Sequence, residues 1–305
     1  MQGMNKVVVI GSGKVASCLG KSLFDSGRFE IVQIYSRSLS HAQKMASFVG
    51  NCPAIDDASC LIDADCYLVA IKDDAIAPFL STVPDRCKGA LWMHTSGSVD
   101  ISVFKGFNGR NGVLYPLQTF SVDSKPDMRT IPFLVEGSSD EATALLKELA
   151  CAMSSSVYEA TSQLRTKIHL AAVFACNFTN CLYAIADDIL KKNNIPFSIL
   201  LPLIGETTRK LSALEPWDAQ TGPAARGDMA VIQKHLDMLN HEEKTICIVV
   251  SLFYPLRGSI TCFCGKRFAF CFKQQHEPLC GRRGNLDRVY EWNRQRHFYG
   301  ADLSI

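Results

Sequence analysis

No apolar run in this chain continues uninterrupted for anything near the ~20 residues that cross a bilayer. Neither sign of charge dominates. With 32 Lys and Arg against 30 Asp and Glu, the net charge of +2 supplies no field for nucleic acid or an acidic membrane. A strand-like run starts at Lys6, leaving no room before it for the charged, apolar and cleavage segments of a secretory signal. A secreted disulfide scaffold is also disfavoured, because the 13 cysteines are odd in number and spread over a long chain. Cys18, Cys60, Cys66, Cys176 and Cys181 fall inside apolar patterns and read as small buried hydrophobes. These absences predict a cytoplasmic protein with neither nucleic-acid nor membrane partners. What the chain does have is core-forming material. Its 305 residues are 47% hydrophobic and 9% aromatic, enough for two ordinary domains or one large one, and unlike a disordered or collagen-like chain.

The first half alternates between strand and helix. Lys6–Ile10 is short, β-branched and apolar, as expected of a strand buried on both faces of a parallel sheet. Val15, Ala16, Leu19, Leu23 and Phe24 then recur at helical spacing up to Gly27. Ile31–Tyr35, Cys66–Ile71, Leu91–His94, Gly112–Leu114 and Pro132–Val135 read as further strands, and His41–Val49 as a helix. Such alternation predicts right-handed βαβ units in an α/β fold with a doubly wound, mainly parallel sheet, over about residues 1–160. From Thr161 the pattern becomes helical. Ile168–Leu190 contains no Gly or Pro and reads as one long helix, with more helix over Phe197–Leu214 and Met229–Leu239. An all-α substrate and dimerisation domain over about 161–244 follows.

A composition break falls near Asn240–Thr245. Residues 245–305 hold nine Lys and Arg against four Asp and Glu, and five of the 13 cysteines. Cys262, Cys264, Cys271 and Cys280 open with C-x-C rather than the usual zinc spacing, so no metal site is expected. The change in composition and the lack of periodicity are what a frameshifted reading would give, and they predict poor packing after Lys244. An intact frame in the source genome would count against that idea.

The chemistry enters at Gly11-Ser12-Gly13-Lys14-Val15-Ala16, directly after the first strand and at the opening of the first helix. The glycines let the backbone approach a pyrophosphate, the helix N-terminus offers it unpaired N–H groups, and Ala16 allows close helix–strand packing. The second strand then ends in Tyr35-Ser36-Arg37-Ser38, without the acid that binds a ribose 2′-hydroxyl in NAD sites. Arg37 can pair with a 2′-phosphate, helped by Ser36 and Ser38, so NADP is the expected cofactor. Two further strand ends, Ile71-Lys72 and the Ser96-Gly97 turn after His94, should border it.

These residues resemble the superfamily of pyrroline-5-carboxylate reductases, deazaflavin-dependent NADP oxidoreductases and β-hydroxyacid dehydrogenases. The blocks HTSGSV (94–99), GVLYPLQTFS (112–121), HLAAVFACNFTN (169–180), LLPLIGETTRKL (200–211) and QTGPAARGD (220–228) are similar to an uncharacterised bacterial family, over about residues 4–244. Its members join a Rossmann-like domain to a helical domain of unknown function. The resemblance implies an NADP-linked oxidoreductase with a small-molecule substrate, dimeric through the helical domain. In β-hydroxyacid dehydrogenases a Lys and an Asn one turn apart occupy the corresponding helix. Asn177 matches the Asn, but Val173 stands where the Lys would be. His169 shares that face at i, i+4 and i+8 and is the candidate catalytic group, with Asn177 orienting the substrate. Gln118, Thr119 and Arg226 are candidate substrate contacts, although Arg226 could instead pair locally with Asp228. The runner-up is a non-catalytic NADP sensor, since no unambiguous catalytic Lys or Tyr stands out.

Overall fold

The computed structural model describes residues 6–121 and 126–253. The chain divides into two compact units, Met1–Asp188 and Ile189–Ile305.

The first unit carries β1 (Lys6–Ile10), α1 (Lys14–Asp25), β2 (Glu30–Tyr35), α2 (Leu39–Ala46) and β3 (Ala54–Ile55). These are followed by β4 (Cys66–Val69), α3 (Asp73–Leu80), β5 (Leu91–His94), β6 (Asn111–Pro116) and β7 (Phe133–Gly137). Then come α4 (Asp140–Met153), β8 (Val157–Glu159) and α5 (Ser162–Ala172). The eight strands form one sheet in the order β3-β2-β1-β4-β5-β6-β7-β8, parallel throughout except where β7 runs antiparallel to β6. This is the doubly wound sheet expected from the alternation. β1 lies between β2 and β4, so the strand order reverses there and opens a crevice beyond the carboxyl ends.

The strands were legible because their side chains are buried on both faces. Val7 and Val9 join a core under α1, α2 and α4, while Val8 and Ile10 join a second core with Tyr67, Ile76 and Trp92. Trp92 stacks on Tyr67 with ring centroids 4.2 Å apart. The helices begin where caps allow. Ser38, Ser139 and Thr161 accept hydrogen bonds from the N–H groups of His41, Ala142 and Leu164 at the starts of α2, α4 and α5.

The long helix after Thr161 is continuous from Ser162 to Lys191, but its middle is not α-helical. A π segment, Val173–Phe178, separates α5 from α6 (Thr179–Lys191). By length and composition this helix could cross a membrane, although no uninterrupted apolar run announces it. Its first turns are packed into the sheet unit by the buried Ser162 and Arg165. The second unit is helical among the described residues, with α7 (Leu201–Lys210), α8 (Pro223–Arg226), α9 (Met229–Asp237) and α10 (His241–Phe253).

The composition break near Asn240–Thr245 does not coincide with the end of an element. Instead α10 starts there in a reciprocal cap: Asn240 Oδ1 accepts from the Glu243 N–H, and Glu243 Oε2 accepts from the Asn240 N–H, both at 2.9 Å. The remainder of the tail, with Cys262, Cys264, Cys271 and Cys280, lies outside the described residues. The cysteine reading needs correction. Cys66 is buried and Cys18 half-buried, but Cys60, Cys176 and Cys181 are exposed. Cys176 and Cys181 fall on the uncovered side of the long helix, where an apolar pattern does not mean burial within the chain.

Candidate active site

The turn after β1 is shaped by two different requirements. Gly11 sits at φ +118°, and a Cβ there would lie 2.3 Å from the carbonyl oxygen of Ala70 on the neighbouring strand connection. No side chain fits, and the Gly11 N–H donates to Tyr35 O at 2.8 Å. Gly13, the N-cap of α1, faces open space, and no side chain among the described residues caps the helix. The first N–H groups of α1, from Lys14, Val15 and Ala16, are therefore presented at an uncluttered, dipole-positive end, which fits a pyrophosphate. Ala16 is fully buried in the core beneath. Ser12 and Ser36 link their hydroxyls at 2.8 Å and so tie the glycine turn to the end of β2.

Arg37 stands exposed at that strand end with no ion pair among the described residues. Ser38 is occupied as the α2 cap. Two acids follow the strand that pairs with this end of β2. The Ser36 N–H donates to Ile55 O at 3.0 Å, so β3 brings Asp56 and Asp57 beside Tyr35. Burial raises the Tyr35 phenol, Arg37 pulls it down, and Asp57 and Asp56 push it up. Asp57 already accepts from the Ser59 N–H at 2.8 Å. The two-residue strand that delivers these acids is too short to show in a hydrophobic pattern.

At the next strand ends, Ile71 packs against Gly11 and Lys72 precedes α3 as its N-cap. Asp73, the first residue of α3, accepts from the Ser98 hydroxyl at 2.6 Å. Ser96 is spent on its own turn, accepting from the N–H groups of Ser98 and Val99 at 3.1 and 3.0 Å. Behind it His94 is fully buried. Its Nδ1 accepts from the Ser96 N–H at 3.2 Å, and among the described residues its Nε2 has no partner. Desolvation, aided by Arg165, lowers its pKa from 6.5 to about 4, so it is a neutral core residue.

α5 runs along the turn that follows β5. The Ile101 N–H donates to Ser162 Oγ at 3.1 Å, Arg165 donates to Val99 O, and His169 packs on Gly97. Successive turns of the helix thus meet alternate residues of the segment. Arg165 is fully buried and also pairs with Glu136 at the end of β7. Glu136 in turn accepts from the N–H and hydroxyl of Ser162. This cluster fixes where His169 stands. Nδ1 of His169 lies 2.9 Å from the Tyr115 hydroxyl at the carboxyl end of β6.

Among the candidates the structure therefore joins Gly97 and His169. Asn177 is exposed within the π segment, and Gln118 and Thr119 are exposed, with Gln118 Oε1 accepting from the Thr119 N–H at 2.8 Å. Arg226 ends α8 in the second unit. It makes no local pair with Asp228, whose carboxylate instead accepts from the Val231 N–H at 3.3 Å as the cap of α9. The residues missed by sequence reasoning are Tyr115, Arg165, Glu136 and Asp73. Tyr115 alone left a signal: an aromatic with a polar tip just before Pro116, in phase with Val113 along β6.

Residues 6–93 match the family model for NADP oxidoreductase coenzyme F420-dependent, and residues 131–251 match a domain of unknown function. An NADP oxidoreductase of Bacteroides fragilis, provisionally so named, is 40% identical over 82% of this chain and 97% of its own, with a TM-score of 0.75. The chain belongs to this NADP oxidoreductase family. Other members of the fold are more distant. An imine reductase of Streptomyces aurantiacus is 11% identical over 82% of this chain and 93% of its own, with a TM-score of 0.62. The 1-pyrroline-5-carboxylate reductase of Streptococcus pyogenes is 15% identical over 81% and 96%, with a TM-score of 0.55. No curated protein matches. Within an NADP oxidoreductase family the glycine turn takes on a definite meaning. Gly11, Gly13 and the open end of α1 form a turn whose geometry suits a nucleotide's pyrophosphate, and the Gly97–His169–Tyr115 group stands at the same carboxyl edge of the sheet.

Proposed function

We propose that the protein is an NADPH-dependent reductase of a small imine or carbonyl compound, with His169 as the proton donor. The observation that carries this reading is a titratable ring held by Tyr115 and Gly97 at the sheet edge that borders the nucleotide cradle. NADPH bound along Gly11–Ala16 supplies a hydride. The chain must then place the acceptor group and give a proton to the nitrogen or oxygen that gains its electrons. His169 is half-buried, so it can meet a ligand while its other side is held. Asn177 orients the substrate from the next turns of the same helix. Arg37 recognises the 2′-phosphate, with Ser12 and Ser36 as hydroxyl partners. We take small imines and carbonyl compounds as the substrate class because reductases of imines and of pyrroline-carboxylate share this fold.

The same reading includes a homodimer. Leu170, Phe174, Phe178 and Leu182 form an exposed apolar stripe on the long helix, 41–62% exposed. A second copy would bury it. It also places the protein in the cytoplasm, where the exposed thiols of Cys60, Cys151, Cys176 and Cys181 stay reduced. The test is calorimetry with NADPH followed by NADPH oxidation across a panel of small cyclic imines and ketones. The reading predicts binding and a substrate-dependent rate that falls when His169 or Asn177 is replaced. Binding without turnover across the panel would leave a nucleotide sensor instead.

A further inference from the structure

We propose that Tyr115 is the positioning residue of this site: its hydroxyl holds Nδ1 of His169, so that Nε2 is the nitrogen that meets the substrate. The inference rests on the reading of His169 as proton donor and adds how the ring is aimed.

Three observations carry it. The Tyr115 hydroxyl and His169 Nδ1 are 2.9 Å apart, and the rings meet edge to face at 81°. Among the described residues the hydroxyl has no other partner, so on a neutral ring the phenolic proton goes to Nδ1 and the ring proton sits on Nε2. Tyr115 itself is only 9% exposed and is packed among Val113, Leu134 and Ala160, so it acts through the histidine rather than on a ligand. Burial, with Asp73 adding to it and Arg165 opposing, raises the phenol, which keeps the hydroxyl a neutral donor.

The step is simple. From the doubly protonated ring, the Nε2–H bond breaks and a bond to the substrate nitrogen or oxygen forms. The neutral ring keeps its remaining proton on Nδ1, where the Tyr115 oxygen accepts it. Nε2 then takes up a proton from solvent and Nδ1 gives one up to solvent, which restores the resting Nε2–H ring, to which the hydroxyl turns and donates. One contact therefore serves both protonation states without moving the imidazole, and a phenyl ring in its place serves neither.

The experiment uses the full chain and Tyr115→Phe, with His169→Gln to assign the imidazole signals. Nitrogen NMR of the unliganded protein reads the tautomer of the neutral ring. The inference predicts Nε2–H in wild type and a mixture in Tyr115→Phe. With 1-pyrroline as the probe imine, kcat falls about tenfold or more in Tyr115→Phe while KM stays within about twofold. NADPH affinity by calorimetry is unchanged. An unchanged tautomer or an unchanged kcat in a folded Tyr115→Phe overturns the inference. Wild-type protein that binds NADPH but reduces neither 1-pyrroline nor the wider panel overturns the proposed function. The tautomer measurement then still decides whether Tyr115 orients the ring.

Discussion

A Cβ on Gly97 would lie 2.6 Å from Nδ1 of His169 and 3.0 Å from Cζ of Tyr115. The atoms in the way belong to the ends of side chains, not to backbone, so Gly97→Ala displaces the imidazole rather than unfolding the chain. An error of about 1 Å in a proton donor costs roughly a hundredfold in rate. Gly97→Ala is thus expected to lose about that much kcat with little change in unfolding midpoint, read by NADPH oxidation and thermal denaturation. Full activity would show that the ring's position is not set by this contact.

Arg165 makes the opposite kind of prediction. Its buried guanidinium joins Glu136, Ser162 and the Val99 carbonyl, although its Nε has no partner among the described residues. Arg165→Met leaves Glu136 without its countercharge, and breaking a buried pair from one side costs about 3 kcal/mol. Denaturant unfolding should report that loss. Activity should fall too, because α5 loses the tether one turn before His169.

His94 supplies a pH dependence of stability. Its folded-state pKa, lowered to about 4 from 6.5, lies below that of the unfolded chain. Between these values the unfolded state binds the additional proton, so stability falls as pH drops from about 6.5 towards 4 and the loss then levels off. The full difference amounts to about 3 kcal/mol. Unfolding midpoints followed over this range should show the decline in wild type and a flatter profile in His94→Gln. Equal slopes in the two proteins would refute the assignment to this ring.

The way the sequence disclosed these features follows from how local each signal is. The strand–Gly11–Gly13–helix unit was legible because every requirement lies within a few residues: β-branched residues buried on both faces, then glycine where Ala70 crowds the chain. His169 stood out as a polar group on a patterned helix. Its partner Tyr115 is 54 residues away, and Glu136 is 29 residues from Arg165. Nothing local marks such pairs, because only the crossing of α5 over the turn after β5 creates them. The π segment was invisible for a related reason: Val173–Phe178 has the composition of ordinary helix. The apolar pattern of Cys176 and Cys181 misled because pattern reports a face that wants covering, not what covers it.

On the proposed reading, cofactor preference turns on Arg37 against the acids that β3 brings near it. A charged hydrogen bond to phosphate contributes about 1.5–3 kcal/mol, so Arg37→Asp should weaken NADPH binding by an order of magnitude or more and leave NADH little affected. Asp56→Asn should act in the reverse direction, tightening NADPH modestly by removing a carboxylate from the approach of a 2′-phosphate. Calorimetry with both nucleotides on both variants checks the pair. Equal losses for NADPH and NADH in Arg37→Asp would mean the guanidinium serves the shared part of the nucleotide.

The apolar stripe on the long helix gives the last prediction. Phe174 is 62% exposed and meets Phe178 edge to face at 4.8 Å, with Leu170 and Leu182 a turn away on either side. Such a row in water disfavours the lone chain, and each ring fully covered contributes about 1.5–3 kcal/mol. Phe174→Glu places a charge where two copies of the row would meet, at a position that touches little within its own chain. Light scattering at matched concentrations should therefore find a dimer for wild type and a monomer for Phe174→Glu, with the unfolding of the sheet unit little changed. A monomeric wild type would leave the stripe to another partner, and a variant that remains dimeric would place the contact elsewhere on the chain.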